Sequence, residues 1–151
     1  MGRNRPHPRG GFTLVEILIV VTIMAILAGA IIPQFSNSTN DAKKSAAAYD
    51  LSYMRSQIQT YRAQHGGLLP SQSLVELISQ TNSSGAIGSG TSYPYGPYAP
   101  TIPVNPYNGI NTVVAPGSIP PTATVSGAGW LYDTASGSLW LNDTTTPFAS
   151  Q

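Results

Sequence analysis

The chain has 151 residues, no cysteine, 9% charged residues and a formal net charge of +1, a size that suits one small domain and excludes disulfide or cysteine-ligand chemistry. Its 41% hydrophobic content is ordinary, but charge is far below the roughly 25% usual in globular proteins, so the apolar residues must be concentrated. They are, in residues 12–35.

Charge is distributed unevenly. Arg3, Arg5 and Arg9 precede the apolar stretch; from Phe12 onward Lys43, Lys44, Arg55 and Arg62 face Glu16, Asp41, Asp50, Glu76, Asp133 and Asp143. A chain so sparsely basic lacks the electrostatic footprint of a nucleic-acid binder.

From Ile17 to Phe35 there are 19 residues without a charge. A helix from Phe12 to Pro33 is roughly 33 Å long and can cross a bilayer. The three flanking arginines are expected to keep its N-terminal end cytoplasmic and send the C-terminal part across, so that the chain spans a membrane once with its remainder exported. One reading of this segment is an ordinary signal peptide, cleaved after Ala28-Gly29-Ala30 so that a soluble, secreted binding module, with sugars as one ligand class, starts at Ile31. Against it stands Glu16, an acid among apolar residues. A carboxylate at mid-bilayer costs on the order of 2.5 to 3.5 kcal/mol, less near the interface, and implies a partner.

Gly11-Phe12-Thr13-Leu14-Val15-Glu16, after a short basic leader and before an uninterrupted apolar helix, resembles the processing site of type IV pilins and type II secretion pseudopilins. The resemblance implies a leader over residues 1–11, cleavage between Gly11 and Phe12 by a membrane prepilin peptidase, N-methylation of Phe12, a membrane-spanning and assembly half over 12–35, and an exported domain over 36–151. It also implies partners: lipid before assembly, other copies of the chain in a helical polymer, other pseudopilins and an inner-membrane assembly platform. Cleavage there leaves a cationic amine on Phe12 one helical turn from Glu16. In an isolated subunit Glu16 can contact its own N-terminus, which the helix dipole favours. In a staggered filament it can pair with the amine of a neighbour, where low dielectric makes a mispaired charge expensive.

Pro33 removes one helical hydrogen bond, so a kink or local melting is expected around Gly29 to Pro33. The helix is then expected to continue, because Ala47, Leu51, Met54, Ile58 and Tyr61 recur at steps of four and three as one apolar stripe. Gly66-Gly67 supplies the stop. Such a helix, from Phe12 to His65, is roughly 80 Å long, more than a small domain needs.

A short helix is expected from Ser73 to Gln80, where Ser73 and Glu76 have capping-box spacing and Leu74, Leu77 and Ile78 make an apolar face. Residues 81–92 read as loop, and eight of the 13 prolines fall between Pro94 and Pro121 and deny helix there. Strands are expected at Ile110 to Val114, Trp130 to Asp133 and Ser138 to Asn142, the last two a hairpin around residues 134–137, with Leu131, Leu139 and Leu141 able to share the helix-facing side. The fold class is α+β and pilin-like: a long N-terminal helix packed on a small antiparallel sheet with Pro/Gly-rich loops.

Leu69-Pro70, Gly96-Pro97-Tyr98 and the run from Ile102 to Gly109 are similar in order to the major pseudopilin of type II secretion. Two departures matter. Val104-Asn105 replaces a lysine-aspartate pair, and the acidic C-terminal loop that binds calcium in those proteins has no clear counterpart. Asp133, Asn142 and Asp143 are the nearby candidates, and three scattered oxygens do not make a calcium cage. No metal or other cofactor is therefore expected. The lack of cysteine departs from the disulfide loop common in major type IV pilins.

No enzyme constellation can be assembled. His7 lies in the leader, and His65 sits by itself at the helix end as a partner of the C-terminal dipole. Glu16 and Asp50 are too far apart on one helix to act as a pair. The tyrosines at 93, 95, 98 and 107 lack accompanying Arg or Lys and read as loop packing rather than a stacking platform. The glycosylation-type triplets at Asn37, Asn82 and Asn142 arise readily in a Ser/Thr-rich chain. The function expected is that of a structural subunit of a pseudopilus-like filament supporting protein secretion; the alternative within the same family is a type IV pilin or minor pilin for adhesion, motility or DNA uptake.

Overall fold

A computed structural model describes residues 11–143, apart from the side chains of residues 32–37. Arg3, Arg5, His7, Arg9 and residues 144–151 lie outside the described residues. The chain divides into two compact units, residues 1–41 and 42–151.

One helix, α1 (Leu14–Gln64), contributes to both. It is unbroken through Gly29 and Pro33, so the expected local melting is absent. A proline costs its own hydrogen bond, but propagation on either side still adds one bond per residue fixed. The expected kink at Pro33 falls where side chains lie outside the described residues.

In the second unit the stripe is as the 3,4 spacing requires: Ala47, Leu51, Met54, Ile58 and Tyr61 are all buried. α1 ends where the glycines permit it. Gly66 and Gly67 take positive φ of 64° and 96°, and Gly67 N–H closes on Arg62 O at 2.9 Å, the wide C-terminal bond that a left-handed residue makes possible.

The next element is shorter than expected. A single 3-10 turn spans Val75–Ile78, preceded by Leu74 in the left-handed region at φ 56° without a side-chain cap. The cap expected from Ser73 does not form; Glu76 Oε2 instead accepts from Ser71 N–H and Oγ at 3.1 and 2.8 Å. The turn stops because Leu77 O is taken by Tyr98 N–H and Ala99 N–H at 2.8 and 2.9 Å. Leu74 and Leu77 are buried, whereas Ile78 is partly exposed and not part of the inward face.

Three strands, β1 (Val113–Val114), β2 (Trp130–Asp133) and β3 (Ser138–Leu141), form one sheet in that order. The sheet is mixed rather than wholly antiparallel: β2 and β3 form the expected hairpin, but β1 runs parallel to β2. Residues 115–129 form a crossover long enough to bring the chain back in its original direction, which a tight turn cannot do. β1 is also shorter than expected, because Ile110 O accepts Asn105 N–H at 2.9 Å and ties the preceding segment into a turn.

Register corrects one further expectation. Leu131 is opposite Trp140, while Trp130 is opposite Leu141 and Tyr132 opposite Leu139. Trp130, Tyr132, Leu139 and Leu141 therefore pack with the α1 stripe, and Leu131 joins Trp140 and Ala128 on the other face. Both strands carry large apolar residues at consecutive positions, so the period of two assigns faces only once the pairing is known.

Polar contacts fasten the layers. Arg55 of α1 donates from Nε and Nη2 to Leu139 O at 3.1 and 2.6 Å. Trp130 Nε1 donates to Pro103 O at 2.8 Å and Gln72 Nε2 to Tyr132 O at 2.8 Å.

Two stability outcomes follow from this packing. Ile58 has no exposed surface, so Ile58→Ala should lower the unfolding free energy by about 2 to 5 kcal/mol in denaturant titration of the detergent-solubilised chain. At the hairpin, Ser136 Oγ, the Ala135 N–H and the Ser136 N–H all donate to Asp133 and hold its carboxyl below the usual aspartate range. The folded state then binds that proton less readily than the unfolded chain, so its contribution is complete above the ordinary aspartate range and is lost as pH falls through the depressed value. Asp133→Asn should remove this part of the acid sensitivity, measured as a shallower loss of stability than wild type between pH 4 and about pH 2.

Candidate assembly site

The expected processing and assembly residues sit at the start of α1. Gly11, Phe12 and Thr13 precede the helix, which begins at Leu14. The Gly11–Phe12 bond thus lies in non-helical backbone with both residues exposed. Glu16 is the acid of the first turn, where the exposed N–H groups and the macrodipole favour a negative charge.

The sequence-based expectations name Thr13 within the motif and give it no capping role, although the signal for one is there. Glu16 N–H donates to Thr13 Oγ1 at 3.2 Å, so Thr13 is the N-cap and Glu16 the third helical residue, the Thr and Glu spacing of a capping box. The cap fixes where the helix starts and hence places Glu16 in its first turn.

Beyond the cap, Leu14–Ile31 is long and apolar enough to cross a membrane, with none of it buried within the chain. Thr22, the polar residue of this stretch besides Glu16, turns its hydroxyl back onto Leu18 O at 2.6 Å, which meets its hydrogen-bonding need inside the helix. Pro33 lies within α1. Glu16 and Asp50 belong to different units of the fold.

The remaining candidates are structural in their contacts. His65 is buried; its Nδ1 is 2.8 Å from Tyr61 O and its Nε2 3.0 Å from Thr81 Oγ1. A carbonyl only accepts, so Nδ1 carries the hydrogen and Nε2 accepts from Thr81. His65 therefore serves the last turn of α1 as expected, and also ties it to the segment that follows the 3-10 turn. Tyr61 stacks on the His65 ring at 3.9 Å, with Tyr95 and Tyr98 around it. Tyr98 Oη donates to Gln64 Oε1 at 2.7 Å, which accords with loop packing. Asn82 Oδ1 is engaged by Ser84 and Ala86, Asn142 is buried, and the Asn37 side chain is outside the described residues. Among the described residues no group of three His, Cys, Asp or Glu could hold a metal ion.

The family description "Prokaryotic N-terminal methylation motif" matches residues 7–32, a window that contains Gly11, Phe12, Thr13 and Glu16. The N-terminal segment is of the prepilin type. The chain is also similar, at 35% identity over 54 residues, to the type II secretion system core protein G of Pseudomonas aeruginosa, covering 36% of this chain and 38% of that protein. It is likewise 35% identical over 52 residues to the protein of the same name from Dickeya chrysanthemi, covering 34% of each. The match thus spans little more than a third of the curated relatives' length and is confined to the N-terminal region. No solved structure matches the chain.

Removing the cap has a measurable consequence. Thr13→Ala should cost the first turn about 1 kcal/mol and speed amide exchange at Leu14 to Glu16 in detergent micelles, while Thr13→Ser should retain wild-type protection.

Proposed function

We infer that the chain is a structural subunit: a precursor held in the inner membrane by α1, trimmed between Gly11 and Phe12, methylated on the new Phe12 amine, and polymerised through residues 12–35. The observation that carries this reading is the bare apolar helix, which starts two residues after Phe12 and bears Glu16 in its first turn. The methylation-motif match and the similarity to two type II secretion core proteins favour a pseudopilus-like filament serving protein export.

The physical steps are simple. Before cleavage the leader arginines anchor the N-terminus on the cytoplasmic side. Cleavage removes them and creates one cation beside one anion on an apolar rod. Lipid satisfies the rod's surface in the monomer; neighbouring copies satisfy it in the filament. Pairing Glu16 with a neighbour's Phe12 amine sets the stagger, because a slipped register leaves two unpaired charges in a low-dielectric environment. Pro33 supplies a position where the helix lacks one backbone bond and can yield during assembly. The peptidase, the inner-membrane platform and other pseudopilins are the partners this route requires. The chain's own role is structural, with no catalytic residue assigned.

Intact-mass measurement of protein from its native membrane tests the reading. The expected mature chain begins at Phe12 and carries one additional methyl group; an N-terminus at Ile31 would instead establish an ordinary signal peptide and a secreted module. Glu16→Ala should leave the second unit's thermal unfolding unchanged while greatly reducing filaments counted by electron microscopy. Wild-type filament yield from that variant would remove the register role.

A further inference from the structure

Three asparagines at the loop end of the sheet converge on shared backbone. Asn105, with no exposed surface, donates from Nδ2 to Gly129 O at 2.8 Å and Asn142 O at 3.1 Å, and its Oδ1 accepts Tyr107 N–H at 2.9 Å. Asn108 donates to Ala128 O at 2.8 Å and accepts Ile110 N–H at 3.0 Å. Asn142 donates to Val125 O and Ala128 O, both at 2.7 Å, and accepts Val125 N–H at 3.0 Å. Together they stitch the 105–110 turn, the 125–129 segment and the end of β3 around an open cavity of about 380 Å³ that Asp143 also lines. The backbone is pressed close here, since a Cβ on Gly129 would collide with Ile110 O.

We propose that this neutral amide clasp by itself fixes the C-terminal end of the fold, without the calcium that an acidic C-terminal loop holds in the major pseudopilins the sequence resembles, and that no cation takes part. Calcium needs six to eight oxygen ligands. At this site the carbonyls of Val125, Ala128, Gly129 and Asn142 already accept amide hydrogens, and Asn142 Oδ1 already accepts from Val125. The amide N–H groups turn the positive ends of their dipoles toward the oxygens a cation would have to use. Acids are too few to outcompete them. Asp133 sits at the opposite end of the hairpin with both oxygens bound to its turn, and residues 144–151 contain no Asp or Glu. The Val104-Asn105 departure has a physical meaning in these terms: a carboxylate at position 105 accepts but cannot donate, and would leave Gly129 O and Asn142 O without this donor.

The test uses the full-length chain in detergent. Thermal unfolding is followed by circular dichroism in excess EDTA and in millimolar calcium chloride, and calcium chloride is titrated calorimetrically. The expected result is one Tm in both buffers, to within about 1 °C, and no saturable calcium binding. Asn105→Ala should lower Tm by roughly 10 °C, and calcium should not restore it. Asn108→Ala, a milder change if Asn105→Ala does not fold, should lower it by roughly 4 to 8 °C. A Tm that drops in EDTA, saturable calcium binding, or a wild-type Tm in both variants would overturn the proposal.

Discussion

A helix surface that its own chain leaves bare has to be covered by something else. α1 makes this requirement in its first half only. From Ala47 onward one stripe of the helix is buried under the sheet and loops of its own unit, whereas from Leu14 to Ile31 no residue is buried within the chain. The same secondary structure thus meets two solvents. Hydrophobic burial at about 25 cal/mol per Å² drives the second-half packing, whereas the cover for Leu14 to Ile31 has to come from outside the chain. The scarcity of charge elsewhere is consistent with this: the apolar content is not spread over a large core but gathered along one rod.

What could be read from sequence follows the range of the interactions concerned. The Ala47–Tyr61 stripe, the Gly66-Gly67 stop and the 134–137 hairpin turn depend on neighbours within a few positions, and each is where local rules place it. The parallel pairing of β1 depends on how residues 115–129 travel through space, which no local pattern encodes. Leu131 shows the same boundary: Trp130, Leu131 and Tyr132 are all large and apolar, so only pairing with β3 decides which faces α1. The expected Ser73 helix shrinks to one uncapped turn because Leu77 O is claimed by residues 98 and 99, a competition invisible in the short window that suggested the helix.

At the N-terminal site the sequence was more informative. Gly11, Phe12 and Glu16 announce themselves by an odd arrangement, a lone acid near the start of an apolar run, and Thr13 adds a cap readable from spacing alone. Asn105 is the contrary case. A polar residue in a proline-rich loop looks solvated, yet it is fully buried, because the segments that need its donors arrive 24 and 37 positions later.

The order in which core residues occur along the chain has its own consequence. The α1 stripe comes first and its covering side chains, Trp130, Tyr132, Leu139 and Leu141, come near the end. Contacts of such long sequence separation form late and slowly. A polypeptide made N-terminus first would therefore leave its stripe only partly covered, by Leu74, Leu77, Ile102 and Val113, until the final hairpin emerged. Closure of the second unit is thus the last event of its folding, because the residues that complete its core are among the last to be made.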